Sequence, residues 1–377
     1  MSVEVRPFAI DVPGEQLADL RERLIRTRWP DPAPVEDWSQ GVPLAYLQDL
    51  VGYWADGYDW AARQEYLSSF PQYLTKIDGL DVHFVHVRSP EPDALPLILT
   101  HGWPGSFVEF LVAIGPLTDP VAHGGNRSDA FHVVVPSLPG YAFSGKPTTT
   151  GWGVERTARA WARLMARLGY GRYGAQGGDW GSMVTTILGR VDPDHVAGIH
   201  LNMVIGLPGP DDELTEQEQA AMARANDYLA RDSGYSKQQS TRPQTLGYSL
   251  VDSPSGQCAW ILEKFWSWSD TDGDPVAALG ADRILDNVML YWLPATGASS
   301  ARMYWESFNN PPFEPVSVPM GGSVFPKEIF RSSRRWAARQ FSDIRYWGEP
   351  PVGGHFAAFE QPDIFVEEVR AFFRTVR

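Results

Sequence analysis

From Tyr73 onward the chain alternates short apolar runs with amphipathic segments, and that alternation constrains its fold more than any other feature. Runs at Val82–Val87, Leu95–Thr100, Phe131–Val135, Tyr173–Gln176, Val196–Leu201, Val316–Met320 and Phe341–Tyr346 have the length and composition of strands. Between several of them, Glu155–Leu168, Met183–Val191 and Asp363–Arg374 carry helical spacing. Successive parallel strands need a crossover that is usually a helix, so the pattern predicts an α/β fold with a mainly parallel sheet. One interval breaks the rhythm. Residues 204–315 show helix patterns, loops and many aromatics but few strand signals. An insertion of that size, leaving the sheet after one strand and returning to the next, would lie as a helical cap over the carboxyl ends of the strands, where α/β sheets bind ligands. Residues 1–73 are rich in Trp, Tyr and Pro, with a helix expected after Pro13 that places Leu17, Leu20 and Leu24 on one face. The expected organisation is therefore an amino-terminal helical or loop arm (1–73), a core (74–203 and 316–377) and a cap (204–315).

Charge and cysteine usage narrow the class. A net charge of −14 with no Lys/Arg-rich run argues against a nucleic-acid partner. Cys258 is the only cysteine, so no intramolecular disulfide forms. The opening MSVEVRPFAIDVPGE has no apolar core of a signal peptide, and no run approaches the roughly 18 apolar residues of a membrane span. The expectation is a soluble, cytoplasmic protein with no membrane partner.

The stretch Gly174–Ser182, GAQGGDWGS, then supplies a chemical clue. A strand-to-helix turn of the form G-x-S-x-G raises a serine nucleophile above a sheet. Here Gly177, Asp179 and Gly181 give G-x-D-x-G, with a carboxylate at the raised position. Taken alone, the aspartate reads equally as a helix N-cap. A second motif tips the balance. His101-Gly102-Trp103-Pro104-Gly105 follows the run Leu95–Thr100 directly, at the place where α/β-hydrolases take one backbone N–H of an oxyanion hole; the residue after the nucleophile gives the other. The corresponding donors are Trp103 and Trp180. His355, in VGGHFAAFEQP, stands on a loop after the last strand pattern, where a general base could face the elbow. The acid that would orient it is read as Glu328, after the run Val316–Met320; Asp343 is the rival, and Glu314 lies at the wrong end of its strand.

Other patterns carry less. Gly169, Gly171 and Gly174 spell a dinucleotide fingerprint but precede their strand instead of following it. His83 and His86, three apart on a strand, point to opposite faces and cannot both hold one metal. The sequon at Asn126 means little without secretion. The tract Gln257–Asp270, with three tryptophans and a phenylalanine, reads mainly as cap core, with some rings free to line a pocket. Neither a cofactor nor a metal is expected.

With these pieces assembled, the chain resembles the epoxide hydrolases of the α/β-hydrolase superfamily, of the microsomal and juvenile-hormone type. The resemblance runs almost end to end: RPF and WP in the arm, HGWPGS, PSLPGYAFS, GGDWGS, QSTRPQTLGYSLVDSPSGQ, NVMLYW and GGHFAAFEQP. It implies Asp179 as nucleophile, Glu328 as charge-relay acid, His355 as base, and Tyr235 and Tyr304 as the two ring-opening tyrosines. It also implies a small hydrophobic or aromatic epoxide and water as partners. A role in natural-product biosynthesis and a homodimer are left open by it. The membrane anchor of some relatives has no counterpart here, in keeping with a soluble bacterial form.

The chemistry agrees with an aspartate at the elbow. A carboxylate opening an epoxide gives an ester that water can cleave, whereas a serine would give an inert ether. Tyrosine hydroxyls can protonate the alkoxide that leaves. Ordinary cap packing is the bland reading of both tyrosines. Two rivals remain in view: a haloalkane or haloacid dehalogenase, which needs N–H donors for halide in place of tyrosines, and a non-catalytic ligand-binding protein on the same fold.

Overall fold

The computed structural model describes residues 4–308 and 314–377. Its sheet is built from β1 (Val5–Phe8), β2 (Gln72–Ile77), β3 (Leu80–Val87), β4 (Leu95–Thr100), β5 (Phe131–Pro136), β6 (Tyr173–Gly177), β7 (Val196–Leu201), β8 (Met320–Ser323) and β9 (Ile344–Gly348). The strands lie in the order β1-β2-β3-β5-β4-β6-β7-β8-β9. From β5 to β9 all pairs are parallel; β1, β2 and β3 form an antiparallel edge. The central strands β4, β5, β6 and β7 are almost wholly buried, as strands covered on both faces must be.

Sheet order explains why two motifs far apart in sequence meet. β4 and β6 are hydrogen-bonded neighbours, with Thr100 opposite Gly177. Each strand therefore ends at the same level, one opening into HGWPG and the other into the elbow. Crossover helices Val154–Arg167 and Trp180–Val191 pack on one another, and Pro362–Phe373 covers β7, β8 and β9.

The sequence pattern misplaced parts of this sheet. The run Val316–Met320 is not a strand: Val316 makes one isolated bridge to Phe341, and the ladder starts only at Met320. Pro315 and Pro319 bracket that run, and a proline has no N–H to give to a ladder. The last strand is likewise displaced, from Phe341–Tyr346 to Ile344–Gly348. The arm is not only helices and loops, since Val5–Phe8 pairs with Gln72–Ile77 as the outermost strand, an edge position that tolerates its Pro7.

Between β7 and β8 the chain forms the helical cap, from Glu216–Arg231 through Gly297–Ser307. The expected cap span, 204–315, includes residues 309–313, and the expected arm includes 1–3; both lie outside the described residues. The arm grips the cap through polar contacts, some exposed and some buried. Tyr46, Tyr53 and Tyr58 donate their hydroxyls to Asp274, Asp282 and Asp286 at 2.6, 2.7 and 2.8 Å. Arg63 pairs with the same Asp286, whose side chain is only 3% exposed. The cap in turn holds the core. From the helix Ala281–Trp292, Asn287 donates to the Pro104 carbonyl (2.7 Å) and accepts from Ser106, while Tyr291 donates to the Gly105 carbonyl (2.7 Å).

Removing one member of a buried pair leaves the other charged and uncompensated. Arg63→Ala should accordingly lower the unfolding free energy by about 3 kcal/mol, near the low end for such losses because Arg63 keeps some contact with water. Urea denaturation of the two proteins measures this, with a loss below about 0.5 kcal/mol counting against the clamp.

Candidate active site

The elbow forms because glycines stand at the positions where a side chain would clash. Asp179 adopts φ +51° and ψ −127°, a region that side chains enter only under strain of about 1–3 kcal/mol. The chain can turn this sharply because Gly181 packs against β4: a Cβ there would stand 1.8 Å from the Thr100 carbonyl oxygen. Gly102 faces the nucleophile itself, where a Cβ would lie 2.0 Å from Asp179 Oδ1. The site is thus closed to any larger residue at either position.

The turn delivers the Asp179 carboxylate to two partners. Its Oδ1 accepts from the Trp103 N–H at 2.8 Å. Its Oδ2 faces His355 Nε2 at 3.4 Å. The Trp180 N–H opens the following helix, where the first N–H groups have no intrahelical acceptor. The Trp103–Pro104 peptide in this loop is cis.

His355 is held from behind. Its Nδ1 lies 2.8 Å from Glu328 Oε1, and Glu328 is 1% exposed. The same oxygen accepts the Ile329 N–H at 2.6 Å. The His355 backbone is fixed by its N–H to the Trp268 carbonyl (2.9 Å), and its carbonyl accepts from Asn202. Burial disfavours the imidazolium, yet the Glu328 charge and the contacts with Asp179 outweigh it and hold the His355 pKa well above the ordinary histidine value. The rival acids lie elsewhere: Asp343 pairs with Arg345 near the surface, and Glu314 with Arg190.

Above the carboxylate stand cap tyrosines. Tyr235 and Tyr304 are 6% and 2% exposed, so the cap has brought both inside. The Tyr235 ring stacks on Trp103 (4.8 Å, 10°), and Tyr304 meets Trp180 edge-on (4.7 Å, 89°). Burial first, then neighbouring phenols and the Asp179 charge, push both hydroxyls well above the usual tyrosine pKa. Every residue named for the site in the sequence is therefore gathered at the carboxyl ends of β4, β6 and β8.

Several groups here were not legible beforehand. Glu109 lines a small cavity of about 10 Å³ together with Asp179, His355 and Asn202. That volume is near the minimum for one water. Glu109 is half-buried by area, but its carboxyl is enclosed, lying where a Cβ on Gly105 would be. Burial pushes it up to about 8; His355 opposes this and Asp179 adds to it. Trp268 is the one ring of its aromatic tract that reaches the site, 5.1 Å from His355 and 5.2 Å from Tyr235, whereas Trp266 stacks on Trp38 of the arm. Tyr228 bonds Tyr235 directly, hydroxyl to hydroxyl, at 2.9 Å. A separate apolar cavity of about 210 Å³ adjoins the site, walled by Trp180, Met183, Phe308, Phe330 and Phe341. The histidines that suggested a metal are spoken for: His83 by Ser137 and Gln72, His86 by Tyr170.

Known proteins are similar to this chain along nearly its whole length. The family described as "Epoxide hydrolase N terminus" matches residues 5–110, and "alpha/beta hydrolase fold" matches residues 96–244. A protein of Stigmatella aurantiaca ascribed epoxide hydrolase activity is 55% identical over 376 residues, covering 99% of this chain and 86% of its own. Epoxide hydrolase 1 of Sus scrofa is 35% identical, covering 98% of this chain and 88% of its own. The crystal structure of juvenile hormone epoxide hydrolase from the silkworm Bombyx mori superposes with a TM-score of 0.91 at 31% identity, covering 100% of this chain and 95% of that one.

Glu109 gives a test of the electrostatics. Folded, it keeps its proton to about pH 8; unfolded, it loses it near 4.5. Between those values the folded protein binds the extra proton, so stability contributed by this group falls as pH rises through the window. In Glu109→Gln that titration is gone, and melting temperature should drop less from about pH 5 to pH 8 than in the parent. Thermal melts across the range decide it; parallel curves would show that Glu109 ionises normally.

Proposed function

The chain belongs to the epoxide hydrolase family and converts an epoxide and water to a vicinal diol; from that premise we propose how its residues divide the work. The observation that carries the assignment is the Asp179 carboxylate, with one oxygen on the Trp103 N–H and the other facing His355. Oδ2, the oxygen free of a backbone donor, attacks an epoxide carbon from the back side. The carbon–oxygen bond of the ring breaks, and the alkoxide takes a proton from Tyr235 or Tyr304. The high pKa of both phenols keeps them protonated at any ordinary pH, ready to give a proton only to a strong base.

Ester formation then switches the histidine. In the free enzyme the Asp179 charge and hydrogen bond help hold the proton on His355. Alkylation turns that carboxylate into a neutral ester and removes both contributions, so burial regains weight and His355 releases its proton to solvent water. Neutral His355, kept in its tautomer by Glu328, takes a proton from a water that attacks Asp179 Cγ. The resulting oxyanion at Oδ1 sits on the Trp103 N–H, with the Trp180 N–H as second donor; one such donor is worth about 3–4 kcal/mol. The ester opens, the diol leaves and Asp179 regains its charge.

The substrate is proposed to be a small hydrophobic or aromatic epoxide, supported by the indole and phenol walls of the site and by the apolar cavity beside Trp180. No described helix is long and apolar enough to cross a membrane. A cytoplasmic setting is proposed on the buried free thiol of Cys258, the chain's single cysteine.

Three experiments test the assignment. In a single turnover in heavy-oxygen water with enzyme in excess, the first diol should carry unlabelled oxygen from Asp179; a fully labelled first product would mean direct attack by water. His355→Gln should accumulate enzyme plus epoxide as a stable mass adduct on the peptide bearing Asp179. In Tyr235→Phe/Tyr304→Phe, alkylation should fall by at least about a hundredfold, since each lost bond to developing charge is worth roughly ten- to a hundredfold. Wild-type alkylation in that double variant would remove the tyrosines from the mechanism.

A further inference from the structure

Three tyrosine hydroxyls run outward from the reaction centre. Tyr304 and Tyr235 face the Asp179 region, and Tyr235 is bonded at 2.9 Å to Tyr228, from the helix Glu216–Arg231. Tyr228 differs from the other two in what lies beyond it. It lines a groove of about 970 Å³ at the junction of arm and cap, with Trp38, Trp266, Arg224, Asp227 and Lys327, that neither Tyr235 nor Tyr304 reaches. The mechanism above, on which this inference rests, leaves Tyr235 as a phenolate once it has protonated the alkoxide. His355, which releases its proton on alkylation, regains one from the attacking water and so returns to its resting state. A second turnover therefore requires Tyr235 to be reset.

The direct path between Tyr235 and His355 is poor. The Trp268 ring contacts both Tyr235 and His355, and its one transferable proton, on Nε1, is already given to Asp232 at 2.6 Å. Outward, Tyr235 is bonded to Tyr228, and Tyr228 lines the groove. We propose that Tyr228 is a proton relay that returns Tyr235 to its phenol form, drawing on water in the groove. The Tyr228 O–H breaks as the Tyr235 O–H forms; the Tyr228 phenolate then takes a proton from groove water. The hydroxide left there is matched by the proton that His355 releases, so the cycle has no net proton change. Burial raises both phenols, so each is protonated at rest and passes its proton only to a strong base such as a neighbouring phenolate. The buried Lys264 ammonium lies 4.8 Å over the Tyr235 ring, held there by Asp232 and Glu263.

The test separates the first turnover from later ones, with styrene oxide as probe. Tyr228→Phe keeps the ring and leaves Tyr235 protonated at the start, so single-turnover alkylation should stay within about threefold of the parent, the effect of one neutral hydrogen bond. Steady-state turnover should fall on the order of tenfold or more, because reprotonation now limits it. Small protonated buffers such as imidazolium should restore turnover in Tyr228→Phe and leave the parent unchanged. Tyr228→His, which can carry a proton, should turn over faster than Tyr228→Phe, and it serves as the variant if Phe does not melt at the parent temperature. Unchanged turnover in Tyr228→Phe, equal losses in alkylation and turnover, a loss that small acids do not restore, or a His variant no faster than Phe would each overturn the relay. Tyr235→Phe is the control for the underlying mechanism: if it alkylates at the parent rate, that reading fails on its own, whatever Tyr228 does.

Discussion

The site depends on one strained residue. Asp179 is held at φ +51° by a turn whose neighbours have no room for side chains, and its helix packs against the end of β4 without a Cβ between them. The strain is offset by what surrounds it: a nearly dry parallel sheet on one side and the crossover helices on the other. Because β4 and β6 are neighbours, the same sheet edge that raises Asp179 also raises the Trp103 N–H to meet it. Nucleophile and oxyanion donor are thus set by a single hydrogen-bond ladder, and their separation cannot drift without slipping the sheet.

Charge in the site is balanced by contacts that change during the reaction. Glu328 gives a permanent negative partner to His355, while Asp179 gives one that disappears on ester formation. A histidine between two carboxylates therefore alternates between a stored cation and a base, and the chemistry itself does the switching. The cap supplies the complementary property. Its tyrosines are buried so deeply that they stay neutral beside a carboxylate, and only an alkoxide is basic enough to claim their protons.

Much of this was legible in the sequence, for identifiable reasons. The elbow and HGWPG depend on short stretches whose glycines and strand contexts are local, and His355 follows a Gly-Gly turn. The run Val316–Met320 failed as a strand because Pro315 and Pro319 leave it short of ladder donors. Val5–Phe8 was invisible because an edge strand needs only a partner, and that partner, Gln72–Ile77, lies across the whole arm. Glu109, Trp268 and Tyr228 escaped for a related reason. Each sits in an ordinary helical pattern, and what makes it part of the site is a neighbour brought from elsewhere: His355 for the first two, Tyr235 across a helix break for the third.

The arm's hold on the cap bears on how the protein selects what it transforms. The tyrosine–aspartate ties and the Arg63–Asp286 pair fasten arm to cap, and Asn287 and Tyr291 of the same cap helix fasten it to the loop bearing Trp103. A cap pinned at both ends behaves as a roof, not as a door. Swinging it aside would pull the Pro104 and Gly105 carbonyls with it and spoil the very donor that steadies the nucleophile. Whatever reaches Asp179 without disturbing that roof is thereby sorted by girth and greasiness before any bond is made.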